Sequence, residues 1–234
     1  MTQTRASMQD EERIARRAAL ELRPGMLVNL GIGLPTLVPQ FLPADVDVLF
    51  HSENGFVGMG PALEDGTPDH DIIDAGGRAC TIIKGGAFFD SLLSFAIVRG
   101  GHLDLAVLGA FEVSIEGDLA NWKIPGRLTP GMGGGMELAQ KANQVLVVTR
   151  HLDKKGRPKI VRECSLPLTA RHCVDTVITE RAVFRRRDDA LALISVHPDH
   201  TIDSVLEEIE APMRVIEPLQ SWDQPPESPE GVGA

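Results

Sequence analysis

The stretch MLVNLGIGLPT (26–36) decides the fold. Its apolar run, Met26–Leu30, has the length of a strand and enters a tight turn, Gly31-Ile32-Gly33, with no polar spacer. Pro35 sits near the start of the next element, where the first turn of a helix tolerates a missing N–H. A second run, Val46–Phe50, delivers the chain to His51-Ser52-Glu53-Asn54-Gly55. A third, within Asp104–Gly109, has the unbroken apolar character of a strand buried on both faces. Helical patterns lie between and around these runs. Ile14, Ala18 and Leu22 recur at four-residue spacing over 10–22, and Arg23-Pro24-Gly25 stops them. Asp90 or Ser91 can cap a helix over Asp90–Arg99, and Gly131–Gly135 opens another over Met136–Ala142. Short buried strands alternating with helices predict an α/β fold, an open and mostly parallel sheet with flanking helices. Ligands in such sheets gather at the carboxyl ends of the strands. That rule singles out the turns at 52–55 and 131–135.

Further β-type runs follow at Cys80–Lys84, Val145–Thr149, Ile160–Cys164, Val174–Thr179, Ala182–Arg185 and Ala190–Val196, with a helix predicted over Thr201–Ile209. Residues 58–77, rich in Gly, Pro and Asp, read as loop. The length of 234 residues suits one large α/β domain, taken as 1–217. From Pro218 the chain holds Pro225, Pro226 and Pro229 without an apolar pattern, so 218–234 is expected to be a disordered tail.

Composition excludes several function classes. With 33 acids against 23 bases the net charge is −10, the wrong sign for a face that replaces phosphate counterions, so no nucleic-acid partner is expected. The one tight basic cluster, Arg185–Arg187, runs directly into Asp188-Asp189 and reads as a solvated turn. No apolar run approaches the roughly 18 residues of a membrane span. The N-terminus is charged throughout, without the apolar core of a signal peptide. Three widely spaced cysteines, Cys80, Cys164 and Cys173, form no CxxC pair, which disfavours disulfides and zinc and makes the cytoplasm the expected compartment. Their apolar surroundings suit inert thiols.

Each motif has more than one reading on its own. Gly31-Ile32-Gly33 begins like a dinucleotide fingerprint, but Thr36 stands where the third glycine belongs and no acid ends the next strand. The Gly131–Gly135 run could cradle a phosphate, stabilise an oxyanion or make a crowded turn, and it lacks the GK[ST] ending of a P-loop. Glu53 is either an ordinary turn acid beside an Asn-Gly pair or a carboxylate poised at a strand's carboxyl end. The seven histidines match no metal spacing, and there is no G-x-S-x-G elbow. No bound metal is expected.

Taken together, the motifs resemble one family. VNLGIGLPT (28–36), HSENGFVGMGP (51–61), SFAIVRGGHLDLAVLGAFEVS (94–114), GDLANWKIPG (117–126), GMGGGMELAQKA (131–142) and CSLPLT (164–169) occur in order. This series strongly resembles the β-type (B) subunit of the family I coenzyme A transferases, over about residues 10–216. The resemblance implies the open α/β fold that the family shares with ribose-5-phosphate isomerase. It implies Glu53 as catalytic nucleophile and the Gly134 N–H as oxyanion donor. Around them it implies Asn29, Gly31, Gly33, Asn54, Gly55, Asn121 and Gly133 as substrate- or CoA-binding positions. The implied activity is CoA transfer between an acyl-CoA, succinyl-CoA in the favoured branch, and a 3-oxoacid such as acetoacetate. The chemistry is ping-pong through a glutamyl-CoA thioester, with coenzyme A as substrate and no permanent cofactor. The implied partner is the family's other, A-type subunit, in an A2B2 hetero-oligomer. HSENG and GHLDLAVLGAF look as much like the 3-oxoadipate branch, which stays as the alternative, and a non-catalytic ligand-binding subunit is the alternative from another class. Where many relatives carry the lysine of INAGK, this chain has Ile73-Asp74-Ala75-Gly76-Gly77, with Arg78 one place later as a substitute for holding an acidic group.

Overall fold

The computed structural model describes residues 2–60, 69, 71–128 and 131–226, with backbone alone for 2–7. In chain order its first elements are α1 (Thr2–Ala19), β1 (Leu27–Leu30), a 3₁₀ helix (Leu34–Phe41), β2 (Leu49–Ser52), β3 (Phe56–Met59), β4 (Ile82–Phe88) and α2 (Ser91–Arg99). Next come β5 (Leu105–Leu108), β6 (Glu112–Ser114), β7 (Leu119–Ala120), α3 (Gly135–Lys141) and β8 (Gln144–Val148). The remainder is β9 (Ile160–Val161), β10 (Thr176–Ile178), β11 (Ala182–Arg187), β12 (Ala190–Val196), α4 (Ile202–Leu206) and β13 (Arg214–Val215).

Ten strands form one sheet in the order β13-β12-β11-β10-β8-β5-β1-β2-β3-β4, and β7-β6-β9 form a small second sheet. The centre, β10-β8-β5-β1-β2, is parallel throughout. Antiparallel pairs extend it on both sides, through β3 and β4 at one edge and β11 and β12 towards the other. The expected α/β class and mostly parallel sheet are therefore what the chain builds.

Strand alternation sorts the core into two layers. Leu105, Val107, Leu146 and Val148 face the layer that holds Ile14, Ala15, Ala18, Ala19 and Leu22 of the first helical segment. Ala106, Leu108, Val145 and Val147 face the other, with Val98 and Leu138 from α2 and α3. All four β5 residues are buried, as a central strand covered by helices on both faces must be. Burying each large aliphatic side chain in these layers contributes about 1.5–3 kcal/mol before entropy is counted.

Several boundaries differ from the sequence expectation for identifiable reasons. α1 begins well before residue 10, where a polar stretch carries no apolar period. β2 starts at Leu49 rather than Val46: the first register pair with β1 is Leu27↔Leu49, and ahead of it Gly25 N–H donates to Asp47 O at 2.8 Å outside the ladder. Beyond β5 the chain changes sheet, and Val113 pairs with Leu119 and Ile160. Arg185–Arg187 is the end of β11, not a solvated turn. Arg185 donates to Glu21 at 2.6 Å and to Thr176 Oγ1 at 3.2 Å, while Asp188, with φ 59°, makes the turn.

The expected disorder from Pro218 needs correcting over 218–226. Gln220 N–H donates to Ile194 O at 2.8 Å, and Trp222 is only 7% exposed, packed edge-on against His197 at 5.1 Å. A single large ring anchors this stretch, and its surrounding prolines hid that signal. Residues 227–234 lie outside the described residues. Among the described residues, no helix is long and apolar enough to cross a membrane.

Candidate active site

The parallel register builds the site. Asn29 of β1 stands directly beside His51 of β2, so the two side chains share a face and meet. Asn29 Nδ2 lies 3.1 Å from His51 Nδ1 and donates to His51 O at 3.2 Å. It also donates to Glu53 Oε2 at 3.0 Å, which fixes the carboxylate immediately past the carboxyl end of β2. His51 continues inward to Ser94 Oγ of α2 at 3.0 Å and stacks on Phe89. Burial pushes the imidazole down to about 4, so it is neutral at neutral pH.

Glu53 rides on a tight turn closed by Gly55 N–H to Ser52 O at 3.0 Å. Ser52 Oγ donates to Asn54 Oδ1 at 2.7 Å and accepts from Ala75 N–H at 3.1 Å, and Asn54 Nδ2 donates to Ile73 O at 2.7 Å. Gly55 has φ 134°, and a Cβ there would stand 2.3 Å from Phe89 O, so only glycine fits. The turn is thus braced from behind by residues 73–75 and 89.

Opposite Glu53 lies the glycine run. Gly131 and Gly133 have φ 129° and 56°, and Gly134 caps α3. A Cβ on Gly134 would lie 3.2 Å from Glu53 Cγ and 3.1 Å from the Phe95 ring, so this backbone approaches the carboxylate side chain as closely as packing allows. The Gly134 N–H donates to no protein group among the described residues.

These groups open onto a cleft of about 700 Å³ that runs along the carboxyl ends of β2, β1, β5 and β8. Glu53, Gly31, Asn121, Gly133 and Gly134 line it, with Ile32 at its lip, 74% exposed. Asn121 is held by its Nδ2 on Gly109 O at 3.0 Å and by Thr169 Oγ1 on its Oδ1 at 2.6 Å. The other positions expected to bind substrate sit elsewhere. Gly33, with φ 86°, only caps the 3₁₀ helix, while Asn54 and Gly55 brace the Glu53 turn. Asn29 is 1% exposed and touches Glu53 rather than the cleft. Arg78, offered as a stand-in for the missing lysine, donates to Asp74 through Nε and Nη2 and to Thr36 Oγ1, and it does not line the cleft.

Sequence reasoning missed the cleft's cationic end. Lys159 Nζ donates to Ala110 O and Thr149 Oγ1, both at 2.9 Å, and burial lowers its pKa. Thr149 Oγ1 in turn donates to Ala110 O at 3.1 Å. Arg150 lies beside them, 3.5 Å from Asp10 and 3.8 Å from Glu11. A lysine directly ahead of the apolar pair Ile160-Val161 was the one available signal. Cys164 and Cys173, pushed up to about 12 by burial, are thiols rather than thiolates. Among the described residues, no group of three or more His, Cys, Asp and Glu side chains could hold a metal ion.

Comparison with known proteins gives the site its context. The β subunit of a probable coenzyme A transferase of Bacillus subtilis is 48% identical over 210 residues, 90% of this chain and 97% of that protein. The B subunit of the succinyl-CoA:3-ketoacid coenzyme A transferase of Helicobacter pylori is 47% identical over 204 residues, 87% and 98% of the two chains. In fold, the acyl-CoA transferase apoenzyme of Escherichia coli O157:H7 matches with a TM-score of 0.72 at 22% identity, covering 91% of this chain and 43% of that longer one. The sequence pattern described as Coenzyme A transferase matches residues 11–208, and on that span the chain belongs to the coenzyme A transferase family.

Proposed function

We propose that this chain is the catalytic β-type subunit of a 3-oxoacid CoA-transferase, and that Glu53 is its nucleophile. One observation carries the reading: the Glu53 carboxylate faces the cleft, held at 3.0 Å by Asn29 and approached at its Cγ by the Gly134 backbone. A glutamate carboxylate is ionised at neutral pH and attacks without a general base. It adds to the thioester carbonyl of an acyl-CoA and expels CoA as thiolate, leaving an acyl-glutamyl anhydride. The thiolate then attacks the Glu53 carbonyl, releases the first acid and forms a glutamyl-CoA thioester. A second acid reverses both steps and leaves as its CoA ester. The thioester bond is passed on without ATP.

Each addition places negative charge on a carbonyl oxygen, and the Gly134 N–H, which has no partner among the described residues, is the group to receive it. One such donor supplies roughly 3–4 kcal/mol to the transition state. Asn121, Gly31 and Gly133 shape the cleft around the reacting centre, and Lys159 supplies its positive end. Succinyl-CoA and acetoacetate are the proposed pair, 3-oxoadipate the rival acceptor. We further propose an A-type partner subunit, two copies of each chain, and a cytoplasmic setting.

Intact mass spectrometry with peptide mapping tests the reading. The chain, co-purified with its partner, is given acyl-CoA without acceptor. A CoA-sized adduct on Glu53 that 3-oxoacid removes is the expected result. An active complex without the adduct overturns it, and an inactive chain that binds CoA leaves a ligand-binding subunit in its place. Turnover with acetoacetate against 3-oxoadipate then separates the two branches.

A further inference from the structure

Asn29 Nδ2 faces three groups: Glu53 Oε2, the His51 carbonyl and His51 Nδ1. Carboxylate and carbonyl oxygens only accept, so the Asn29 atom turned towards them is the amide nitrogen. The amide nitrogen carries two hydrogens, one directed to Glu53 Oε2 and one shared between His51 O and His51 Nδ1, and it has no lone pair to accept a proton from a ring N–H facing it. Nδ1 of His51 is therefore unprotonated and the ring proton sits on Nε2, where it donates to Ser94 Oγ at 3.0 Å. On its other side the amide has no support, because Asn29 Oδ1 is buried without a partner among the described residues. A reversed amide would set that oxygen against all three acceptors.

We infer that His51 is a positioning residue of the reaction. Anchored on Ser94, its Nδ1 lone pair keeps the Asn29 amide turned towards Glu53, and the amide aims the carboxylate into the cleft. His51 touches no substrate, since it is 1% exposed and lies outside the cleft lining. Burial keeps the ring neutral, with its pKa down at about 4, so the acceptor is present throughout the neutral range. The geometry also identifies the side chain that can replace it. A glutamine at 51 accepts through Oε1 from Asn29 and donates through Nε2 to Ser94, whereas leucine does neither.

The inference rests on Glu53 as nucleophile, and its test keeps the two apart. In the assembled enzyme, adduct formation on Glu53 is timed by rapid quench for wild type, His51→Leu, His51→Gln and Ser94→Ala. KM for acyl-CoA and the thermal midpoint are measured alongside. His51→Leu is expected to slow adduct formation about a hundredfold, the scale of a misaimed reacting group, with KM within about twofold. His51→Gln recovers most of that rate, and Ser94→Ala falls between. A folded His51→Leu enzyme that forms adduct at the wild-type rate overturns the inference. So does a folded His51→Gln enzyme as slow as His51→Leu. Long-range ¹H–¹⁵N spectra of the wild type read the tautomer independently of any rate, and a proton on Nδ1 also overturns it. If the wild type forms no adduct on Glu53, the nucleophile reading fails while the tautomer still reports on the relay.

Discussion

The ends of β2 and β8 look alike and do different work. Each parallel strand has a buried histidine at its carboxyl end, His51 within β2 itself and His151 three residues past the end of β8. Both rings are 1% exposed and both are pushed down to about 4 by burial. At β2 the ring leads through Asn29 to a carboxylate on the cleft. At β8, Nε2 of His151 donates to Val205 O at 3.2 Å and Nδ1 meets Thr179 Oγ1 at 3.3 Å, which docks α4 and reaches no cleft residue. A perturbed pKa therefore does not distinguish a functional histidine from a structural one here. What the imidazole is bonded to does.

The largest effect that separates the two ends is expected from Glu53→Gln. Turnover and adduct formation fall at least about a thousandfold while the thermal midpoint stays near that of wild type. An active Glu53→Gln enzyme would remove the functional meaning of the β2 end altogether.

Acid stability should treat the two histidines alike. Unfolded, each titrates near 6.5; folded, each resists protonation down to about 4. Stability is thus complete above about pH 6.5 and is lost as pH falls towards 4, because the unfolded chain takes up protons that the folded one refuses. Each ring contributes on the order of 3 kcal/mol across that window. Denaturation midpoints measured from pH 7 to 4.5 should fall steeply, and His151→Leu should shallow the slope. The same variant should leave the adduct rate of folded enzyme unchanged, in contrast to His51→Leu.

Gly134→Ala sharpens the comparison from the cleft side. The added methyl must displace the Phe95 ring or Glu53 Cγ from contacts of 3.1 and 3.2 Å. A loss of about thirtyfold in kcat/KM with a small change in stability is expected. The smallest effect belongs to Asp90, whose side chain accepts from Leu93 N–H at 2.8 Å and caps the helix that carries Ser94. Asp90→Ala should cost about 1 kcal/mol in thermal or chemical unfolding.

Much of the fold was legible because local pattern and tertiary context agree in the central strands. Ala190–Val196 matches β12 residue for residue, and the run in Asp104–Gly109 contains β5. Legibility failed where a contact from far along the chain decides. Arg185 looked solvated until Glu21, 164 residues away, came to meet it. Trp222 looked stranded among prolines until it met His197. The site divides in the same way. Glu53 and the glycine run stand at strand and helix ends that the sequence marks out, so they could be named from motif and position. His51 gains its meaning only through Asn29 and Ser94, 22 and 43 residues distant, and Lys159 only through Ala110, 49 residues away.

The sheet order carries one more consequence, for the chain as it leaves the ribosome. β1 is central, yet it is the first strand made, and one of its neighbours, β5, begins about 75 residues later. At a synthesis rate of roughly 5–20 residues per second, the Leu27–Leu30 edge waits about 4–15 s for that partner, while β2, β3 and β4 can already pair on its other side. During that interval the half-built sheet presents an open apolar edge, the kind that pairs wrongly with other chains. Substitutions that slow docking of β5 should therefore appear first as a lower soluble yield, before any change in the finished enzyme.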